Sequence, residues 1–187
     1  MMSMGIIRKI FLAFTSIFLA ALLHAQAFSP VDNGSSVKFS IKNFGLQTTG
    51  SFSGLKGTIK FNPANPAAAV FNVSVDVGTI NTGISSRDHH LIKDDYFDVE
   101  KYPVITFASE KITVFEENKF VMFGSITIKG IRKEISFPFT VSALSNGNLF
   151  AAEFKLNRRD FNVGSNSFVL SDNLTVSLSV FAKKVNQ

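Results

Sequence analysis

The chain has 187 residues, with 19 Lys and Arg against 14 Asp and Glu, a formal net charge of +5, and no cysteine. The mild charge, with no basic run or Arg-rich helix, argues against nucleic acid as a partner. The missing cysteines exclude disulfides, a thiol nucleophile, thiolate metal sites and iron–sulfur clusters. No tryptophan stands beside 21 phenylalanines, which suggests a large apolar interior with few polar handles.

Arg8 and Lys9 precede an apolar run from Ile10 to Leu23, and Ala25-Gln26-Ala27 follows with small residues at the two positions a signal peptidase reads. That order predicts a secretory signal over residues 1–27, cleaved after Ala27 or, alternatively, after Ala25. The run is shorter than the roughly 20 residues a bilayer crossing needs, so it does not read as a membrane span. Loss of Arg8 and Lys9 would lower the net charge to about +3, and residues 28–187 would remain as one domain in the periplasm or outside the cell.

From residue 36 onward, apolar and polar residues alternate. Val37, Phe39 and Ile41 alternate with Lys38, Ser40 and Lys42; Phe71, Val73, Val75 and Val77 follow the same rule, as do Ile135 to Val141 and Leu174 to Val180. A period of two with one apolar face marks half-buried strands. The predicted strands are 36–43, 48–53, 55–61, 68–80, 104–115, 119–129, 131–144 and 149–157, with 173–183 as a ninth candidate. The second and third form one bent strand if Gly54 and Gly57 mark a bulge. Asn146-Gly147 is the strongest hairpin signal, since both residues tolerate the positive φ of a type I′ turn. Without alternating helices, such strands hide their apolar faces and edges by closing on themselves. The pattern predicts an all-β fold, an eight-stranded antiparallel up-and-down barrel, with a sandwich as second choice. An outer-membrane barrel would face its apolar side outward behind aromatic girdles, but the chain has only Tyr96 and Tyr102 and no tryptophan. Pro138 cannot donate to a ladder, so it should mark a bulge or a strand side without a partner, the place to look for the barrel's seam.

One segment breaks the alternation, Arg87–Phe107, RDHHLIKDDYFDVEKYPVITF. Ser86 can cap a short helix over about 87–97, with Asp88 in its first turn. His90 and Asp94 then share one face, and His89 and Lys93 the next. Adjacent histidines on a helix point about 100° apart, which suits one metal ion poorly, and no serine lies in a nucleophile elbow. The segment therefore reads as a helix that plugs one barrel end, or as a lid with Arg87 and His90 at a ligand's polar head. Arg158 and Arg159 read as a phosphate or head-group contact, or as a solvated turn with local ion pairs.

The barrel interior is the candidate site. An eight-stranded barrel is just wide enough to be filled by side chains or to hold one slender ligand. The candidate apolar lining is Phe39, Ile41, Ile59, Phe61, Phe71, Val73, Ile105, Phe107, Met122, Ile126, Phe137, Phe139, Phe154, Val176 and Leu178. Composition alone leaves open whether these residues fill a core or surround a cavity.

Several stretches carry a resemblance: VKFSIKNFG at Val37–Gly45, GSFSGLKGTIKFNPANP at Gly50–Pro66, VDVGTINTGISSRDHHLIKDDYFDVEKYPVITF at Val75–Phe107, GSITIKGIRKEISFPFTV at Gly124–Val141 and LNRRDFNVG at Leu156–Gly164. In that order they resemble the YceI family of exported lipid-binding proteins. Asn43 stands where many relatives have His, Glu134 where Pro is usual, and Asn162 where Gly is often found. The resemblance implies a lipocalin-like barrel with a short helical insertion, a polyisoprenoid or related lipid inside it, and no catalytic residue; no metal or cofactor is expected beyond a bound isoprenoid lipid or quinone. It also implies a carrier in the periplasm or outside the cell, and homodimers occur among members. The competing reading is a structural or stress-response barrel with a filled core that acts through a protein partner.

Overall fold

The structure, a computed structural model, describes residues 26–185. The expected leader lies outside the described residues except for Gln26 and Ala27. Nine strands follow one another: β1 (Gln26–Pro30), β2 (Ser36–Asn43), β3 (Leu46–Phe61), β4 (Val70–Asn81), β5 (Val104–Glu116), β6 (Lys119–Ile128), β7 (Ile131–Leu144), β8 (Gly147–Asn157) and β9 (Leu170–Lys184). A single short helix, α1 (Ser85–Leu91), lies between β4 and β5.

All pairings are antiparallel, and β3 pairs with β4 to close the sheet. β1 and β2 share one position in the wall. Both lie between β3 and β9: β1 through Phe28↔Ile59 and Phe28↔Lys184, β2 through Phe39↔Gly50 and Phe39↔Val176. They are one staff of an eight-position barrel, broken at residues 31–35. Asp32, in that break, accepts from the backbone N–H of Gly54 and Leu55, both at 3.0 Å. Those donors are exposed where β3 slips register against β4. The predicted strands 48–53 and 55–61 are thus one bulged strand, with Gly54 at φ +72 and Gly57 at φ +126, values that L side chains rarely adopt.

The alternation predicts no strand at 26–30. β1 is only five residues long and shows little alternation, so it carries too little periodicity to register. The candidate at 173–183 is a full strand, β9. The predicted helix over 87–97 is shorter, and Ser86 does not cap it. Ile84 occupies that position, while Asp88 reaches back to accept from the N–H of Thr82 at 2.9 Å.

Pro138 sits opposite Val121 in an unshifted β6–β7 register, while the β7–β8 ladder stops one residue away, at Phe139↔Ala152. Its missing N–H therefore costs no β7–β8 rung. From that point toward the end away from the 145–146 turn, β7 and β8 part. Phe161, 2% exposed, packs among Ile131, Ile135 and Leu156 on the parted ends.

The two ends of the barrel differ. At the end that holds β1 and the turns at 62–69, 117–118 and 145–146, Phe61 meets four other rings edge-on: Phe71, Phe120, Phe139 and Phe150, with centroids 5.3–6.3 Å away. Phe28, Ile112 and Ala182 are buried in the same cluster, which forms an apolar floor. Phe61→Ala is expected to open a void in the floor and cost about 3–5 kcal/mol of stability. Chemical denaturation checks this; a change under about 1 kcal/mol would mean that the floor is not a tightly packed unit.

Candidate ligand cavity and its rim

Above the floor the rings stop meeting across the barrel, and a cavity of about 510 Å³ remains. The period-two alternation supplies its wall. β2 contributes Phe39 and Ile41, β3 Ile59, β4 Phe71 and Val73, β5 Ile105 and Phe107, and β6 Met122 and Ile126. β7 contributes Phe137 and Phe139, β8 Phe154, and β9 Val176 and Leu178. Phe137 and Phe154 stack at 4.4 Å between centroids, and Phe107 leans on Phe137 at 5.7 Å. Gly50, opposite Phe39, gives that ring room: a Cβ there would lie 2.3 Å from it.

Phe61 is the correction. It faces inward as its alternation requires, yet it is 1% exposed and lies in the floor, not on the cavity wall. Strand period fixes the face of a residue but says nothing about its height along the barrel.

The cavity also borders residues that the alternation did not single out, among them Phe52, Leu91, Tyr96 and Phe97. Phe39, Phe52 and Phe97 form a chain of rings with 5.7 Å steps, which carries the apolar wall from β2 across to the segment after α1. Leu91, Tyr96 and Phe97 belong to the apolar side of the insertion, the side its sequence assigns to packing on the barrel, and Phe97 lies six residues beyond the end of α1.

At the end opposite the floor, the lining turns polar, with Asn43, Thr48, Thr82, Arg87, His90 and Ser167. Arg87 donates through Nε to Thr82 Oγ1 and through Nη2 to Thr82 O, both at 2.7 Å. Two of its five N–H groups are thus used, and the other three have no partner among the described residues. His90 pairs with Asp95 at 3.1 Å, not with Asp94, and sets its ring edge-on to Tyr96 at 5.0 Å. Helical spacing favours Asp94 only while the helix lasts, and α1 ends at Leu91. His89 turns away and bonds Ser85 O at 2.8 Å through Nδ1.

Arg158 is neither a solvated turn residue nor a free anion site. It is 5% exposed and commits its donors inward. Nε bonds Ser171 O, Nη1 bonds Val163 O and Ser165 O, and Nη2 bonds Leu170 O and Asp172 Oδ1. Its planar fork thereby holds the whole β8–β9 connection, and no donor is left for a head group. Lys129 ties the same connection to the helical insertion, bonding Asp94 O at 2.7 Å and Asn162 O at 3.0 Å. Asn162 takes the left-handed conformation at φ +53 that closes the short helical turn Arg158–Phe161, a place where Asn substitutes for Gly at modest cost.

The remaining titratable signal lies away from the cavity. Lys101 is raised by its hydrogen bond to Asp98 and by that carboxylate's charge. No three His, Asp or Glu side chains converge on a metal-sized site among the described residues.

Residues 29–182 match the model of the YceI-like domain. A UPF0312 protein of Yersinia enterocolitica is 27% identical over 151 residues, which cover 77% of this chain and 78% of that protein. The crystal structure of Burkholderia cenocepacia BcnA superposes with a TM-score of 0.75 at 27% identity, covering 80% of this chain and 96% of the other. A polyisoprenoid binding domain from Saccharophagus degradans superposes with a TM-score of 0.67 over 86% of this chain and 99% of its own, and at 18% identity that likeness establishes a shared fold.

Arg158→Ala should unfold the barrel more easily by more than about 2 kcal/mol, since at least one backbone carbonyl loses its donor while still shielded from water. Arg158→Lys should recover only part of that loss, because an ammonium cannot span five acceptors. Full recovery by lysine in a thermal or denaturant melt would mean that charge alone, and not the fork, does the holding.

Proposed function

The chain belongs to the YceI-like family, and on that premise we propose that it is an exported, non-enzymatic binding protein. It holds one long apolar lipid, of isoprenoid or quinone type, inside the barrel, for transport, storage or protection under stress. The observation that carries this reading is the cavity of about 510 Å³, walled by aromatic and aliphatic side chains and sealed at one end. That size falls within the range of pockets that bury a small ligand. A barrel with a filled core, acting only through a protein partner, has no use for such a volume.

The energetics favour a chain of hydrocarbon. Each buried carbon contributes about 0.8 kcal/mol, so a five-carbon isoprene unit offers about 4 kcal/mol before ordering costs. The floor fixes how deep the chain can go. The polar groups sit at the other end, so a lipid would enter tail first and leave its head beside Arg87 and His90. Thr82 holds the Arg87 guanidinium in place, which lowers the entropy lost when a head-group oxygen takes its remaining donors. Arg158 also borders the cavity, and with its donors taken by protein acceptors it shapes this end. The polyisoprenoid binding domain of Saccharophagus degradans has the same fold, which is in keeping with a ligand of this class.

Export rests on the leader-like segment. Cleavage after Ala25 leaves β1 whole, whereas cleavage after Ala27 removes the residues paired with Phe61 and Lys60.

Native mass spectrometry of the protein from its own host, with organic extraction of what travels with it, tests the reading. A stoichiometric apolar mass is expected; a clean apo mass with no uptake of added isoprenoids would sink it. Ala152, half-buried on the cavity wall and opposite Leu178, gives a second test. Ala152→Trp should fill part of the cavity and weaken binding of a fluorescent isoprenoid at least tenfold, with the β-sheet circular dichroism retained. Unchanged affinity would place the ligand elsewhere.

A further inference from the structure

The cavity's polar end is ringed by apolar side chains that point into water. On the β2–β3 hairpin Phe44 and Leu46 are each 74% exposed, ahead of α1 Ile84 is 50% exposed, and on the β8–β9 connection Phe168 is 106% exposed. The two loops meet, since Phe44 N–H donates to Val169 O at 2.8 Å. The cavity's own lining runs up to them: Asn43 precedes Phe44, and Ser167 and Val169 flank Phe168.

Phe44 is the telling residue. With Gly45 it forms a two-residue turn in which both φ values are positive, +51 and +76. Asn-Gly is the preferred pair in such a turn, and a bulky residue there carries strain. The strain gains no packing, for the ring faces solvent. Nothing in the fold asks for phenylalanine at this point.

We propose that this rim docks on a lipid bilayer, with the tips of Phe44, Leu46 and Phe168 inserted among the acyl chains and the cavity mouth held against the membrane. The proposal rests on the lipid-binding reading and supplies its missing step. A ligand apolar enough to need the cavity is too apolar to cross water at a useful rate, so the mouth must meet the phase in which the ligand is dissolved. Separate tips around an opening suit a soft bilayer better than the flat, complementary face of a second copy. Charge agrees. Lys42 is exposed beside the hairpin tip, and Arg87 has unspent donors at the same end, so cations lie where anionic lipid phosphates would be. Phe115 at the floor end, 66% exposed, flanks a sealed barrel and serves as the control.

The test uses vesicles of phosphatidylethanolamine and phosphatidylglycerol loaded with a fluorescent farnesyl derivative. Co-sedimentation and the rate of probe transfer into the barrel are read separately from equilibrium binding of the same probe added in detergent. Phe44→Asn, Leu46→Thr and Phe168→Ser are combined; the first relieves backbone strain, so the fold should survive. Vesicle binding and transfer are expected to fall at least tenfold, equilibrium binding to stay within twofold, and Phe115→Ser to leave all three unchanged. Wild-type transfer by the triple variant would overturn the proposal. So would a wild-type protein that ignores vesicles and pairs with itself through this rim, shown by a dimer that the triple variant loses. If the wild type binds vesicles but never takes up probe in detergent, docking stands and the lipid-binding reading falls.

Discussion

Phe61 and the four rings around it decide what kind of object this barrel is. Eight antiparallel strands closed on themselves make a tube, and a tube open at both ends has no preferred direction for a guest. Edge-on packing of five phenylalanines seals one end, reinforced by Phe28 from β1. What remains is a cup. Its depth and its apolar lower wall follow from that plug, and the polar cluster of Asn43, Thr48, Thr82, Arg87, His90 and Ser167 lies at the opposite end. The break between β1 and β2 serves the same end, since it lets a separate five-residue strand complete the wall beside the floor while Asp32 satisfies the bulge in β3.

The upper end is built by different means. Phe161, Val163, Ile126 and Ile128 form a second, smaller buried cluster there, and the two long connections are held by hydrogen bonds, four from Arg158 to backbone carbonyls, a fifth from it to the Asp172 carboxylate, and two from Lys129 to carbonyls. Such bonds fix a shape without filling space. The result is a mouth with defined edges, on which the Arg87 side chain is braced by Thr82 and the His90 ring by Asp95 and Tyr96. Aromatic packing closes the lower end, while a smaller apolar cluster together with polar stitching shapes the upper one.

Much of this was legible in the sequence because strand alternation is strict. Phe39, Phe107 and Leu178 border the cavity for the same reason that Ser40, Ala108 and Ser177 do not, and that inference needs only a period of two. Height along the barrel leaves no such mark, which is why Phe61 read as wall when it is floor. The insertion was legible as a break in pattern but not in detail: the helix stops at Leu91, so His90 finds Asp95 where continued helical spacing offers Asp94. Arg158 was the least legible residue. Adjacent arginines in a polar turn look solvated, and the carbonyls that hold one of them belong to residues up to 13 positions away. Phe44 could be read only against its backbone, since nothing in the letters Asn-Phe-Gly announces a positive φ.

The pairing of β2 with β9 has a consequence for how the molecule comes to be. Phe39 lies opposite Val176, so the barrel cannot close until nearly the whole chain is available. The meander from β4 to β8 can form from neighbours in sequence, but the last wall joins the two ends of the domain. Topologies dominated by such distant contacts fold slowly, because loop entropy is lost before the contact rewards it. Until closure, the ladder edges of β2 and β9 and the phenylalanines meant for the interior stay open to water and to other chains. A barrel walled by phenylalanine therefore passes through a state in which that wall is itself without shelter.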